Sequence, residues 1–118
     1  MKKPLILITN DDGYNALGIQ ALIRFASTIG TVISVAPKHP QSGMAHAITI
    51  RTPLRLTKIN EQENITEYYC DGTPVDCVKM AINQLIPQKP DLILSGINHG
   101  SNSSINVIYS GTAGAAIE

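Results

Sequence analysis

The sequence predicts an α/β fold with a parallel sheet, and three observations lead to it. Leu5–Asn10 is apolar without alternation, as in strands that are buried on both faces of a parallel sheet. A helical pattern follows over Ala16–Ile29, and then a β-branched run over Thr31–Ala36. Strand, helix and strand in this order are typical of a parallel unit in which the helix crosses over the sheet.

The first helix and second strand have clear ends. Gly30 is a natural helix stop, and Pro37 ends the run TVISVA. Within the helix, apolar residues recur at helical spacing and predict its buried face: Ile19, Leu22, Ile23, Ala26 and Ile29.

The middle of the chain predicts a β-rich insertion. Strand-like segments cover Ala47–Arg51, Leu54–Ile59 and Thr66–Cys70. Pro53 and the polar stretch Asn60–Asn64 divide them, so we expect a hairpin or a small antiparallel extension.

The second half begins with a helix predicted over Thr73–Leu85. Thr73 is a suitable N-cap and Pro74 suits the first helical position. Leu92–Ser95 is predicted as the third core strand, and the long stretch Asn98–Ser110 as a loop that leads to a final helix.

The chain has 118 residues, which is room for one domain over 1–118. The last residues, SGTAGAAIE, have the character of a helix interrupted in progress, so we expect the chain to be the N-terminal part of a longer protein.

The composition excludes several classes of protein. The net charge is zero, whereas a protein that binds nucleic-acid polymers needs a basic face. The apolar run after Lys3 is too short for a signal peptide or a membrane span, so we expect a cytoplasmic protein. Cys70 and Cys77 are predicted to be reduced, buried thiols.

Two adjacent carboxylates, Asp11 and Asp12, follow the first strand and precede Gly13. Ligands of open α/β sheets bind beyond the carboxyl ends of the strands. Turn formation or helix capping needs one Asp, and two after Asn10 exceed that need. We therefore interpret the pair as a functional site that suits a hard divalent cation.

Two further loops are expected at the same edge of the sheet. Ser42, beside Gly43, follows the second strand, and Asn98 follows the strand that begins at Leu92. Either residue alone is explained by an ordinary turn. Together with the two carboxylates they make an oxygen-only set, and the lack of Cys and His argues against zinc.

A candidate anion site is predicted at Tyr109–Gly114, where small residues begin the predicted last helix. Exposed backbone N–H groups at a helix start attract anions, and Ser110 and Thr112 add hydroxyl donors. An N-cap alone would also explain this segment. With a metal site nearby, it favours a metal-activated water that attacks phosphorus.

Several segments of the chain resemble the SurE family of survival-protein nucleotidases. They occur in the family's order and at its spacing: ITNDDGYNALGI, APKHPQSGMAHAIT, YCDGTPVDCVKMA, PDLILSGINHGSN and YSGTAGAA. The resemblance implies a Rossmann-like, three-layer αβα fold with a β-hairpin extension, in a chain about twice this length. It also implies a phosphatase that hydrolyses nucleoside 5′- and 3′-monophosphates and forms dimers or tetramers.

The resemblance assigns roles to residues of this chain. One Mg²⁺ or Mn²⁺ per subunit would be bound by four residues: Asp11, Asp12, Ser42 and Asn98. Asn102 would join Asp11 and Asp12 as a catalytic residue. Phosphate contacts would come from Gly43, Ser110, Gly111 and Thr112.

Two other functions remain open at this point. A phosphoacceptor receiver domain also has an acidic pair after its first strand, but no apolar run here ends in a suitable third Asp. A nucleotide-binding domain without catalysis would also fit the Gly-rich turns. A dinucleotide-binding domain is disfavoured, because no G-x-G-x-x-G follows the first strand.

Overall fold

The computed structural model describes residues 3–40, 54–85, 89–98 and 104–111. All six strands in these ranges belong to one sheet, in the order β3-β4-β2-β1-β5-β6. The elements in chain order are β1 (Leu5–Thr9), α1 (Leu17–Ala26), β2 (Thr31–Pro37), β3 (Leu56–Glu61), β4 (Ile65–Cys70), α2 (Pro74–Gln84), β5 (Leu92–Asn98) and β6 (Ser104–Ser110).

The centre of the sheet is parallel and its edges are antiparallel. β4, β2, β1 and β5 run in one direction, with Leu7 paired to Ile33 on one side and to Ile93 on the other. β3 pairs antiparallel with β4, and β6 pairs antiparallel with β5. The predicted α/β class is confirmed, and the sheet is mixed only because of its two edge strands.

In the part of the chain that the structure describes, α1 and α2 cover opposite faces of the sheet, which confirms the three-layer αβα arrangement. On one face α1 packs against alternate residues of the central strands, such as Ile6, Ile8 and Val32. On the other face Cys77 and Ala81 of α2 pack against Leu7 and Val35. β1 is buried along its whole length because both helices and both neighbouring strands cover it.

α1 ends three residues earlier than predicted. Ile19, Leu22, Ile23 and Ala26 are buried as expected, but Ile29 is 52% exposed, so that part of the prediction was wrong. Ser27 Oγ donates to the Arg24 carbonyl and Thr28 Oγ1 donates to the Phe25 carbonyl, each over 2.7 Å. These hydroxyls add hydrogen bonds to carbonyls of the last turn, where the regular helical pattern of backbone hydrogen bonds ends.

α2 begins as predicted, at a complete capping box. The Asp76 N–H donates to Thr73 Oγ1 over 3.2 Å, and the Thr73 N–H donates to Asp76 Oδ2 over 3.1 Å. Pro74 occupies the first turn, where a missing N–H costs nothing. Cys70 and Cys77 are free, buried thiols, as expected.

Two predictions about the strands were wrong. β4 does not belong to a separate extension but lies in the parallel part of the sheet, where Ser34 pairs with Glu67. Within the described residues β3 adds an antiparallel edge to β4. The predicted strand at Ala47–Arg51 lies outside the described residues.

The second wrong prediction is the loop from Asn98 to Ser110, because this stretch contains the strand β6. In addition, β5 continues to Asn98 and does not stop at Ser95. β6 passes so close to Gly96 that a Cβ there would lie 2.8 Å from the Ser104 carbonyl oxygen. Gly96 therefore accommodates the strand that the sequence did not reveal.

Candidate active site

The turn after β1 is closed by Asn10, not by the two carboxylates that follow it. The buried Asn10 side chain donates from Nδ2 to the Gly13 carbonyl over 2.8 Å and accepts from the Gly13 N–H over 3.2 Å. Gly13 has a φ of +105°, a conformation that favours glycine. Because Asn10 performs the turn's hydrogen bonding, the turn does not explain why Asp11 and Asp12 are acidic.

Helix capping does not explain the acidic pair either. α1 begins four residues after Gly13, its N-cap is Ala16, and no side chain caps it. Its first turn contains no acidic residue. Asp11 is exposed and Asp12 is half-buried, both beyond the carboxyl end of the buried strand β1. The capping alternative for these carboxylates is therefore not supported.

Asn98 meets this turn from the neighbouring strand. β5 lies beside β1 with Thr9 paired to Ser95, so the carboxyl ends of the two strands lie together. The Asp11 N–H donates to Asn98 Oδ1 over 3.1 Å. A carbonyl oxygen has two lone pairs, so Asn98 Oδ1 keeps acceptor capacity for another partner.

The segment after β2 also adjoins the turn. The Tyr14 N–H donates to the Pro37 carbonyl over 3.0 Å, and a Cβ built on Gly13 would lie 3.6 Å from the Pro40 nitrogen. Ser42 follows Pro40 by two positions, but Ser42 and Gly43 lie outside the described residues, as does Asn102.

Ser110 and Gly111 are not brought to the carboxylates. Ser110 ends β6 and pairs with Leu92, while the Gly111 N–H donates to the Asp91 carbonyl over 2.8 Å. These contacts are at the amino end of β5, about 20 Å from Asn98 at about 3.3 Å per residue. With β6 paired to β5 in this register, Ser110 and Gly111 do not lie near the carboxylates, where the anion site was expected. Thr112 lies outside the described residues.

The donor set at this edge fits a hard divalent cation. Asp11 and Asp12 offer carboxylate oxygens, and Asn98 offers a neutral amide oxygen held by the Asp11 N–H. Mg²⁺ and Mn²⁺ prefer such ligands and keep water in their remaining positions. Across the described ranges, no three residues among His, Cys, Asp and Glu form a metal-binding group. The described site residues supply two carboxylates and one amide oxygen, a donor set that suits a hard cation better than zinc.

An aromatic pair beside this edge was not found from the sequence. The rings of Tyr14 and Tyr69 have centroids 5.1 Å apart and are tilted by 36°, and Lys38 Nζ lies 5.5 Å from the Tyr69 centroid. Assigning β4 to an extension concealed this contact, because Tyr69 reaches the site only when β4 pairs with β2.

Among the described helices, none is long and apolar enough to cross a bilayer.

Comparisons with known proteins identify relatives along the whole chain. The family model described as "Survival protein SurE" matches residues 6–118. A protein of Flavobacterium psychrophilum named "5'-nucleotidase SurE" is 64% identical over 119 residues, covering 100% of this chain and 46% of that protein. One of Flavobacterium johnsoniae with the same name is 64% identical, covering 99% of this chain and 46% of its own.

A solved structure has the same fold. The crystal structure of the SurE protein from Aquifex aeolicus superposes with a TM-score of 0.70 at 42% identity, covering 84% of this chain and 39% of that one. This chain thus spans about half the length of the curated relatives that it matches.

Proposed function

The chain belongs to the SurE family, and on that premise we propose that it is a divalent-metal-dependent phosphatase that hydrolyses nucleoside 5′-monophosphates to nucleoside and phosphate. The name shared by the relatives supports the nucleotidase activity. Hydrolysis of 3′-monophosphates is included in the proposal. One Mg²⁺ or Mn²⁺ per subunit is the proposed cofactor.

The observation that carries this proposal is the hydrogen bond from the Asp11 N–H to Asn98 Oδ1. It joins the acidic turn to the end of β5 and holds a neutral oxygen beside two carboxylates. Asp11 and Asp12 would bind the cation with Asn98, and Ser42 is proposed as a fourth ligand. A bound cation would stabilise charge on the phosphoryl oxygens and lower the pKa of the attacking water.

The remaining proposed contacts rest on the family resemblance. Asn102 is proposed to orient substrate or water, and Gly43 to contact the phosphate. The phosphate contacts proposed for Ser110, Gly111 and Thr112 require the end of β6 to leave its pairing with Leu92. They stay predictions, and the metal ligands do not depend on them.

A receiver domain is the weaker alternative. In flavodoxin-like receivers the strand next to β1 is the third parallel strand, and an acceptor Asp would be expected to end it. Here the strand in that position is β5, which ends in Asn98. An amide cannot accept a phosphoryl group as a carboxylate does.

The decisive experiment measures phosphate release from 5′-AMP, 3′-AMP and an aryl phosphate with Mn²⁺, Mg²⁺ or EDTA. It uses this chain beside the full-length relative from Flavobacterium psychrophilum. We expect metal-dependent release from the nucleotides that EDTA abolishes. Nucleotide binding without release by either protein would contradict the proposal and favour a binding module, whereas labelling by acetyl phosphate would revive the receiver alternative.

A homo-oligomer, dimer or tetramer, is also proposed. Exposed apolar side chains on the edge strand β6 support it: Ile105, Val107 and Ile108. Large exposed apolar surfaces are typical of interaction sites. Light scattering after size exclusion would measure the assembly, and a monomer at micromolar concentration would contradict it. A cytoplasmic location stays a prediction.

A further inference from the structure

The aromatic pair of Tyr14 and Tyr69 is the strongest feature near the site that the proposed reaction does not use. Tyr14 follows Asp12 by two residues, and its N–H is bonded to the Pro37 carbonyl. Tyr69 is opposite Ala36 in the pairing of β4 with β2. Both rings are half-buried, so each presents part of its surface to solvent next to the acidic turn.

Lys38 lies over Tyr69, one ring of this pair. Its backbone N–H donates to the Cys70 carbonyl over 2.8 Å, which places it at the carboxyl edge of β2 and β4. Its exposed ammonium lies 5.5 Å from the centre of the Tyr69 ring. Among described residues Lys38 forms no ion pair with Asp or Glu, so its charge is available to an incoming anion.

A buried polar network holds the aromatic pair in place. Glu67 is 8% exposed, and its carboxylate accepts from Gln20 Nε2 over 3.0 Å and from Asn60 Nδ2 over 2.8 Å. Gln20 Nε2 also donates to the Tyr14 carbonyl over 3.2 Å. The network thereby joins the turn after β1 to β4, and it keeps Tyr14 against Tyr69.

The charge balance at this edge indicates a role for the positive charge of Lys38. Two carboxylates neutralise one divalent cation, so a phosphate monoester dianion would bring uncompensated negative charge to the site. A cation that contacts an aromatic ring is not neutralised as it would be in an ion pair with a carboxylate. Lys38 can therefore contact phosphate while its ammonium stays over the Tyr69 ring.

We propose that Lys38 is a substrate-binding residue whose ammonium contacts the phosphate of the nucleotide, and that Tyr69 positions it. This inference rests on the proposed function, because it adds a cationic contact to the same substrate. Lys38 contacts the substrate directly, whereas Tyr69 acts through Lys38 and Tyr14 supports Tyr69.

The chain provides a matched control. Lys89 Nζ lies 5.3 Å from the centre of the Tyr109 ring, so it makes the same kind of contact. Lys89 precedes β5 and therefore lies at the opposite end of the sheet from Asn98. Lys38→Met and Lys89→Met remove the same charge and the same type of ring contact, but only the first is at the candidate site.

The test measures equilibrium binding of inorganic phosphate and of a non-hydrolysable methylenephosphonate analogue of AMP, in Mn²⁺ and in EDTA. Mn²⁺ affinity is measured separately. We expect Lys38→Met to weaken analogue binding about tenfold, since a hydrogen bond to a charged group is lost. Mn²⁺ affinity should not change, and Lys89→Met should bind like the unsubstituted chain.

The positioning role has its own readout. Tyr69→Leu should weaken analogue binding about threefold, the size of an exposed cation–π contact, while Tyr69→Phe keeps the ring and should restore binding. Lys38→Arg should bind the analogue more tightly than Lys38→Met. In turnover, Lys38→Met should raise KM more than it lowers kcat.

The outcomes separate this inference from the proposed function. Lys38-dependent analogue binding without any hydrolysis would support the inference and contradict the phosphatase. Normal analogue binding by Lys38→Met would overturn the inference and leave the phosphatase intact. No binding of phosphate or analogue by the unsubstituted chain would also overturn it, as would equal losses in Lys38→Met and Lys89→Met.

Discussion

The Asp11 N–H and Asn98 Oδ1 are joined over 3.1 Å although the two residues are 87 positions apart in the chain. The contact forms because β1 and β5 are neighbours in the sheet and end at the same edge. It fixes the Asn98 oxygen beside the turn that carries both carboxylates. The acidic pair and the amide can therefore act as one set of ligands.

Replacing Asn98 by Ala removes this hydrogen bond and one proposed ligand. We expect Mn²⁺ affinity to fall about tenfold or more, and the free energy of unfolding to fall by about 1 kcal/mol. Calorimetric titration with Mn²⁺ and urea unfolding measure the two effects. Asn83→Ala, on the exposed side of α2, is the control and should change neither. Unchanged Mn²⁺ affinity in the Asn98 variant would remove Asn98 from the ligand set.

Asp12→Asn replaces a carboxylate by an amide of the same shape. We expect it to lose Mn²⁺ binding and most phosphate release, because a neutral oxygen is a poorer ligand for a hard cation. The circular dichroism spectrum should stay the same, since Asn10 closes the turn. Glu63→Gln, an exposed carboxylate before β4, is the control. Full activity of the Asp12 variant would disprove the assignment.

Gly18→Ala should destabilise the fold although Ala is the better helix former. In an open helix this change gains about 1 kcal/mol, but here the new Cβ would overlap the Ile97 carbonyl oxygen. We expect a net loss of about 1–3 kcal/mol in urea unfolding. Because Ile97 precedes Asn98, Mn²⁺ affinity should fall as well.

Gly111→Ala is the control for this steric effect. The nearest atom to its Cβ is the Tyr109 hydroxyl, 3.0 Å away at the end of a side chain that can move. Its free energy of unfolding should change by less than about 0.5 kcal/mol. A Gly18→Ala protein that is more stable than the original would show that α1 does not pack this closely on β5.

Cys70 and Cys77 should be unreactive in the folded chain. Both side chains are 0% exposed. The hydrogen bond between the two thiols, together with burial, raises the pKa of Cys77, while the same hydrogen bond lowers the pKa of Cys70. Because a reagent reaches neither sulfur in the folded chain, a disulfide reagent at pH 7 should label neither residue natively and both in urea. Rapid native labelling of one thiol would contradict this burial.

Local sequence signals predicted the elements that depend on local physics. The apolar run of β1 and the Thr73–Asp76 capping box are set by residues within a few positions of each other. The ends of elements were less predictable, as at α1, where Ser27 and Thr28 stop the helix before Ile29. Side-chain hydrogen bonds compete there with helix propensity, and periodicity does not register them.

Strand partnership could not be predicted in the same way. The sequence of β4 is typical of a polar extension because Glu67 interrupts its apolar residues. In the structure, Gln20 and Asn60 donate hydrogen bonds to the Glu67 carboxylate, so β4 can lie within the sheet. β6 does carry alternating polar and apolar residues over Ser104–Val107, so a strand signal was present in the stretch that was predicted as a loop. Its position depends on hydrogen bonds to β5, and these leave no pattern in its own sequence.

The sequence by itself determined the α/β class, the N-cap of α2, the buried thiols and the acidic pair, because each follows from residue patterns along the chain. Only the tertiary structure decided that Asn98 meets Asp11, that Tyr69 lies beside Tyr14 under Lys38, and that Ser110 lies at the far end of β5. These contacts depend on which strands pair and in which direction. Strand pairing is determined by the free energy of the whole sheet, to which residues far apart in the chain contribute.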